Sequence, residues 1–194
     1  MRFRYGELAP TAYLRGKSTI YCRKNLFVGD DVFIDEGARI MNTKANVIIK
    51  KKSGIAFGFT AITGGHLSLP GVFLKDITNE MKAEIDVDHE MDKDIVIEED
   101  VWVGANVTIL HGVTIGRGST IGAGSVIRSN IPPYAMVTGN PAKVIGFRFT
   151  PGIILEHEET LYEESERIPE EVLTNNFNKY FVSRIKEIQT FLNT

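Results

Sequence analysis

Few side chains in this sequence could do acid–base or nucleophilic work near neutral pH. There are four histidines, His66, His89, His111 and His157, one cysteine, Cys22, and one tryptophan, Trp102. Histidine is the natural proton acceptor in that range. His66 stands out by its setting, Thr63-Gly64-Gly65-His66. A paired glycine before it would let a substrate approach the backbone closely. His89 lies between Asp88 and Glu90, as expected of a solvated loop, and His157 falls on the face of a C-terminal helix. A zinc site would need three imidazoles from neighbouring segments, and His66, His89 and His111 are scattered. Cys22 has no base near it in sequence and reads as a small buried hydrophobe. Lys50-Lys51-Lys52 reads as a solvated corner.

The elements that must position these groups follow a six-residue period. Positions 97, 103, 109, 115, 121 and 127 are all Ile or Val. Four residues after the first five come Val101, Val107, Val113, Ser119 and Ser125. A helix repeats apolar residues every 3.6 residues and a strand every 2, so neither fits. Six residues do suit one short strand and one tight turn. Three such units bring the chain back to its start one rung higher, with the aliphatics stacked inward. Gly, Asn and Asp near the corners supply the positive φ of a sharp bend. The pattern predicts a hexapeptide-repeat parallel β-helix.

The same period runs through Cys22, Val28, Ile34 and Ile40, then resumes out of register at Ile49, Ile55 and Ala61. Asn42 to Asn46 therefore holds an insertion at a corner. Residues 1–19, with Arg2, Arg4, Arg15 and Lys17, read as a lead-in that caps the first rung. Between about 64 and 94 the repeat fails in a long charged stretch, and loops of that length are usually functional or disordered. Prolines 132, 133 and 141 should end ladder hydrogen bonding. Thr150-Pro151 should start a helix running to about Tyr162, and Ile168-Pro169-Glu170-Glu171 another. Phe177, Phe181, Ile185, Ile188 and Leu192 form an amphipathic stripe. The expected division is a lead-in at 1–19, a β-helix domain at 20–147 with its excursion at about 64–94, and a helical segment at 148–194.

The 194 residues are 43% hydrophobic and 24% charged, within the ordinary globular range. A net charge of -3 gives nucleic-acid binding no electrostatic support. No stretch has the length of a membrane span, and no apolar leader is visible at the N-terminus. A single cysteine excludes an internal disulfide and fits a reducing compartment. The expected location is the cytoplasm.

Val101-Trp102-Val103-Gly104, Gly112 to Gly116, Gly122-Ala123-Gly124-Ser125-Val126, Ile131-Pro132-Pro133-Tyr134 and Gly139-Asn140-Pro141-Ala142-Lys143 together resemble the hexapeptide-repeat acyltransferases. The likeness is greatest to sugar O-acetyltransferases and xenobiotic acetyltransferases, and the tail from Arg148 resembles the helical segment of the xenobiotic and capsular-sugar branch. The resemblance implies an all-β solenoid: a left-handed parallel β-helix with an excursion loop and a C-terminal α-helical segment. It also implies acetyl-CoA as co-substrate, no metal, and a homotrimer with active sites between subunits. His66 then matches the general base. Trp102 and Ala105 match positions beside the acetyl group, although relatives often carry Ser where Ala105 stands. Ala123 matches a contact to the pantetheine amide. Arg128 and Lys143 match phosphate-binding cations, with Arg148 as a third. Expected chemistry is acetyl transfer to a hydroxyl of a sugar or glycan precursor. Alternatives are a xenobiotic acceptor, a zinc carbonic anhydrase of the β-helix type, or a non-catalytic coil.

Overall fold

A computed structural model describes residues 5–193; Arg2 and Arg4 lie outside them. The strands recur in threes. The first turn holds Glu7–Leu8 (β1), Tyr13–Leu14 (β2) and Thr19–Ile20 (β3). The second holds Leu26–Val28 (β4), Phe33–Ile34 (β5) and Arg39–Met41 (β6), and the third Val47–Ile49 (β7), Gly54–Ile55 (β8) and Thr60–Ile62 (β9). After the excursion come Ile95–Ile97 (β10), Trp102–Val103 (β11) and Thr108–Leu110 (β12), then Thr114–Ile115 (β13), Thr120–Ile121 (β14) and Val126–Ile127 (β15). Ala135–Gly139 (β16) and Ala142–Phe147 (β17) finish the sheet region.

The strands pair across turns, not along the chain. One face stacks β1, β4, β7, β10 and β13. The second stacks β2, β5, β8, β11, β14 and β16 and ends on β17, and the third stacks β3, β6, β9, β12 and β15. All pairings are parallel except β16–β17. The chain therefore winds round three faces, one short strand on each. The first turn begins at Glu7, inside the expected lead-in. Its two-residue strands are largely exposed, which leaves little apolar signal to read.

Registers show where the period holds. From the first face to the second, equivalent residues are always six apart: Leu8 and Leu14, Val28 and Ile34, Ile49 and Ile55, Ile97 and Val103, Ile115 and Ile121. From the second to the third the step is again six, as in Val103 and Ile109. Only the return to the first face varies: Ile20 to Val28, Ile40 to Ile49, Ala61 to Ile97, Ile109 to Ile115. The register slip after Ile40 and the long excursion thus lie on one corner.

That same corner explains Cys22. Leu14 and Ile20, not Cys22, stand in register with Ile34 and Ile40. Cys22 is half-buried, and its peptide exchanges hydrogen bonds with the buried Asn42 side chain at 3.0 and 2.8 Å. The other two corners turn through left-handed residues at fixed slots: Asp31, Lys52, Asp100 and Gly118 at one, Gly37, Gly58, Asn106 and Gly124 at the other. Gly58, at φ +74°, has a second constraint, because a Cβ there would lie 2.2 Å from Asn106 Oδ1. The lysine run is matched by acids of adjacent turns: Lys50 to Glu98 at 2.7 Å, Lys51 to Glu99 at 3.9 Å and Lys52 to Asp31 at 2.6 Å.

Inside, Val28, Ile49, Ile97 and Ile115 form one column, Ile34, Ile55, Val103 and Ile121 another, and Ala61, Ile109 and Ile127 a third, all essentially inaccessible. Ser119 and Ser125 are equally buried and donate to the Pro132 and Gly122 carbonyls, so neither of these two hydroxyls is left unpaired. Ile109→Ala should cost about 2–5 kcal/mol in denaturant unfolding, because a stacked column closes poorly over a missing side chain. A loss well under 1 kcal/mol would mean the column is not the core.

Two expectations about the C-terminal part change. The prolines do not end the ladder. Pro132 and Pro133 lie just before β16, Pro141 lies in the β16–β17 hairpin loop, and β16 still pairs with β14. No missing N–H falls on a ladder position. The stripe from Phe177 to Leu192 is not one helix. Helices in chain order are Asn79–Ile85 (α1, within the excursion), Pro151–Leu161 (α2), Glu170–Tyr180 (α3) and Ile185–Leu192 (α4). The stripe divides at Phe181, whose backbone leaves the helical region and whose ring packs on Phe177 at 5.3 Å. Phe177 in turn packs on Phe147 of β17 at 5.4 Å. Among the described residues no helix is long and apolar enough to cross a membrane.

Candidate active site

His66 sits four residues past the end of β9, on the corner where the chain returns to the first face, and is exposed. It lines a pocket of about 330 Å³ between the coil and the excursion. Other walls are Tyr21, Thr43, Lys44, Lys82 and Asp92. The glycines before it are not open to a substrate, as their pairing had suggested. A Cβ on Gly64 would lie 2.8 Å from Asp92 Oδ1, and one on Gly65 would lie 3.3 Å from the Met91 carbonyl. They let the two ends of the excursion close against each other: Gly64 bridges Asp92, and Gly65 N–H donates to Met91 O at 2.5 Å.

The excursion is ordered by local capping. Thr78 Oγ1 accepts from Met81 N–H at 3.2 Å and starts α1. Asp86 ends it and receives Met91 N–H at 3.3 Å. His89, at φ +54°, is exposed on the turn that follows. His111 comes unexpectedly close to the base of the excursion: a Cβ on Gly65 would be 3.6 Å from His111 Nε2, and His111 Nδ1 is buried without a hydrogen bond among the described residues. The register places it there: Leu110, the residue before it, stands one turn beyond Ile62. His157 packs on Tyr134 and Phe149, away from the excursion. Among the described residues no group of three His, Cys, Asp or Glu is arranged to hold a metal ion.

The expected coenzyme residues divide between corners. Ala105 and Ala123 stack on the corner between the second and third faces, where Gly124 N–H donates to Ala105 O at 2.8 Å. Ala123 is exposed, and its small side chain leaves the edge flat. Lys143 ends the same line, since it pairs with Thr138, which covers Gly122. Trp102 projects from the second face beside Gly54 and is 51% exposed. Arg128 is exposed just after β15, on the His66 corner and off the alanine line. Arg148 is committed at the remaining corner, to Asp100 at 2.8 Å and the Gly118 carbonyl at 3.0 Å.

Lys143 also has an occupant that the sequence did not announce. Glu187 of α4 lies 3.2 Å from its Nζ, and the Phe191 ring lies below it. Hydrogen bonds from Arg184 and then Lys143 hold the Glu187 carboxyl down at about 2, so it is ionised throughout the neutral range. A phosphate arriving at Lys143 would meet that carboxylate first.

Residues 94–129 match the family model for the bacterial transferase hexapeptide (six repeats). A hexapeptide-repeat acetyltransferase of Vibrio cholerae O1 biovar eltor, solved with acetyl coenzyme A, is 29% identical, with a TM-score of 0.61 over 74% of this chain and 71% of that one. The chain thus carries the bacterial transferase hexapeptide repeat and is similar to hexapeptide-repeat acetyltransferases. The polySia-specific acetyltransferase NeuO is also 29% identical, with a TM-score of 0.50 over 69% of this chain and 61% of its own. A maltose O-acetyltransferase of Clostridium difficile 630, 23% identical with a TM-score of 0.59 over 72% of this chain and 68% of that one, shares the fold. No curated protein sequence matches the chain.

Proposed function

We propose that this hexapeptide-repeat acyltransferase uses acetyl-CoA to O-acetylate a sugar or glycan precursor, with His66 as general base. The observation that carries the reading is His66 itself, exposed over a pocket where the coil opens into the excursion. Acetyl transfer from a thioester to a hydroxyl needs a proton acceptor, a fixed geometry and a donor facing the developing oxyanion. His66 would take the hydroxyl proton as that oxygen attacks the thioester carbonyl, and return it to the departing sulfur. Support for the donor comes from the Vibrio cholerae relative, solved with acetyl coenzyme A. Support for a glycan acceptor comes from NeuO.

The flat edge at Ala105 and Ala123, ending at Lys143, suits the pantetheine arm and a phosphate. Trp102 would flank the acetyl group, and Arg128 would supply a second cation. His66 and this edge occupy different corners of one three-faced coil, so one chain does not bring them together. A second copy would, and we infer a homotrimer of left-handed parallel β-helices with shared sites. Arg128, on the His66 corner, would then act from the same subunit as the base.

The test is subunit mixing, read as thiol release from acetyl-CoA with a panel of sugar acceptors. His66→Ala and Ala123→Trp proteins should each be nearly inactive, and hybrids made by refolding them together should recover part of the wild-type rate. A fully active monomer, or mixtures no better than their parts, would overturn the shared site. Activity confined to antibiotic acceptors would move the assignment to the xenobiotic branch.

A further inference from the structure

One largely buried charge pair closes the excursion at its base. Lys82 of α1 places Nζ 2.9 Å from the Gly65 carbonyl oxygen and 2.8 Å from Asp92 Oδ2. The two side chains are only 13% and 9% exposed. Around them Lys93 N–H donates to Thr63 O at 3.0 Å, Gly65 N–H donates to Met91 O, and Gly64 bridges Asp92. The peptides on the N-terminal side of His66 are thus held on both edges. The imidazole is not: it is exposed, and among the described residues it has no hydrogen-bond partner. Within one chain, the ring is therefore aimed through its backbone.

We propose that Lys82 is a positioning residue for His66, fixing the Gly65 carbonyl while Asp92 fixes Lys82. The proposal rests on the reading of His66 as the base. An exposed ion pair would carry little of either stability or geometry, but a buried one loses its partner at high cost and selects one arrangement. Both charges also line the pocket that His66 lines. The carbonyl that Lys82 grips belongs to the peptide bond between Gly65 and His66, so a shift there moves the backbone of the base directly.

Lys82→Met is expected to lower kcat by about 10–100-fold, the scale of an ångström-sized misplacement, with KM for acetyl-CoA unchanged. Lys82→Arg should recover part of the rate, because it restores a cationic donor. On a His66→Ala background Lys82→Met should cause no further loss. An equal loss on both backgrounds would show that Lys82 acts other than through His66, and a wild-type kcat in Lys82→Met would also overturn the proposal. Amide hydrogen exchange reads the clamp without activity: Gly65 and His66 should exchange faster in Lys82→Met, and unchanged rates overturn the proposal whatever the assay gives. Should Lys82→Met not fold, Lys82→Gln serves in both measurements with the same expectations. A His66→Ala protein of full activity would defeat the reading of the base instead, leaving the exchange result to judge the clamp.

Discussion

His66→Ala is expected to lower kcat for acetyl transfer by about 10²–10⁴-fold, the range that a positioned proton acceptor contributes. The expectation comes from position. His66 is exposed at the mouth of the excursion, its ring supports no packing, and removing it leaves the Gly64–Asp92 and Gly65–Met91 contacts in place. Stability should therefore hold within about 0.5 kcal/mol, as for other surface substitutions. KM for acetyl-CoA should also hold, because a proton acceptor acts on the attacking hydroxyl and does not hold the coenzyme. Loss in kcat alone is the mark of an interaction made in the transition state. His111→Ala is the necessary companion, since His111 reaches the same glycine from the next turn. If His111→Ala abolished transfer while His66→Ala did not, the base would be His111.

Glu158→Ala should destabilise the protein by about 3–5 kcal/mol, the cost of breaking one side of a buried ion pair. Glu158 is 1% exposed on α2. It accepts from the Tyr134 hydroxyl, from Arg117 at 3.0 Å and from Ile168 N–H at 3.0 Å. Burial first, and then the Glu158 hydrogen bond, push the Tyr134 hydroxyl far above its usual range, so it remains a donor. Without the carboxylate that fully buried hydroxyl is orphaned, at about 1–3 kcal/mol. Arg117 keeps Glu99 at 3.4 Å, the Glu166 carbonyl and the face of Tyr162, which limits the loss. Thermal unfolding should fall by about 10 °C. A change under about 1 kcal/mol would mean that the helices dock through their apolar contacts alone, such as Phe147 on Phe177.

The inner columns were legible because each six-residue unit repeats the same physical demand. An aliphatic must stack on its equivalent, and a corner must accept a left-handed residue. Those demands are local in sequence, so the column from Ile97 to Ile127 and the need for Gly, Asn or Asp near the corners could be read without the structure. His66 was legible for the opposite reason, as a titratable group where the repetition stops. What could not be read is pairing across the excursion. Lys82 and Asp92 are two charges among many in a stretch without periodicity, and only the closure of α1 onto the base of the loop selects them. His111 needed the register of β9 and β12. Glu187 needed the break at Phe181, which carries neither glycine nor proline. Leu8, Leu14 and Ile20 are also six apart, but their strands are too exposed to present a core.

The variable return to the first face has a consequence for how such a protein can change. Two edges of the prism are metronomic, and a single added residue there would throw every later aliphatic out of its column. The third edge carries steps from four residues, Ile127 to Ile131, to the full excursion without disturbing the stack above or below it. Lengthening a closed loop costs only about 0.6 kcal/mol per doubling. Novelty can therefore accumulate along one seam, with His66 on that seam, while the rest of the molecule keeps time.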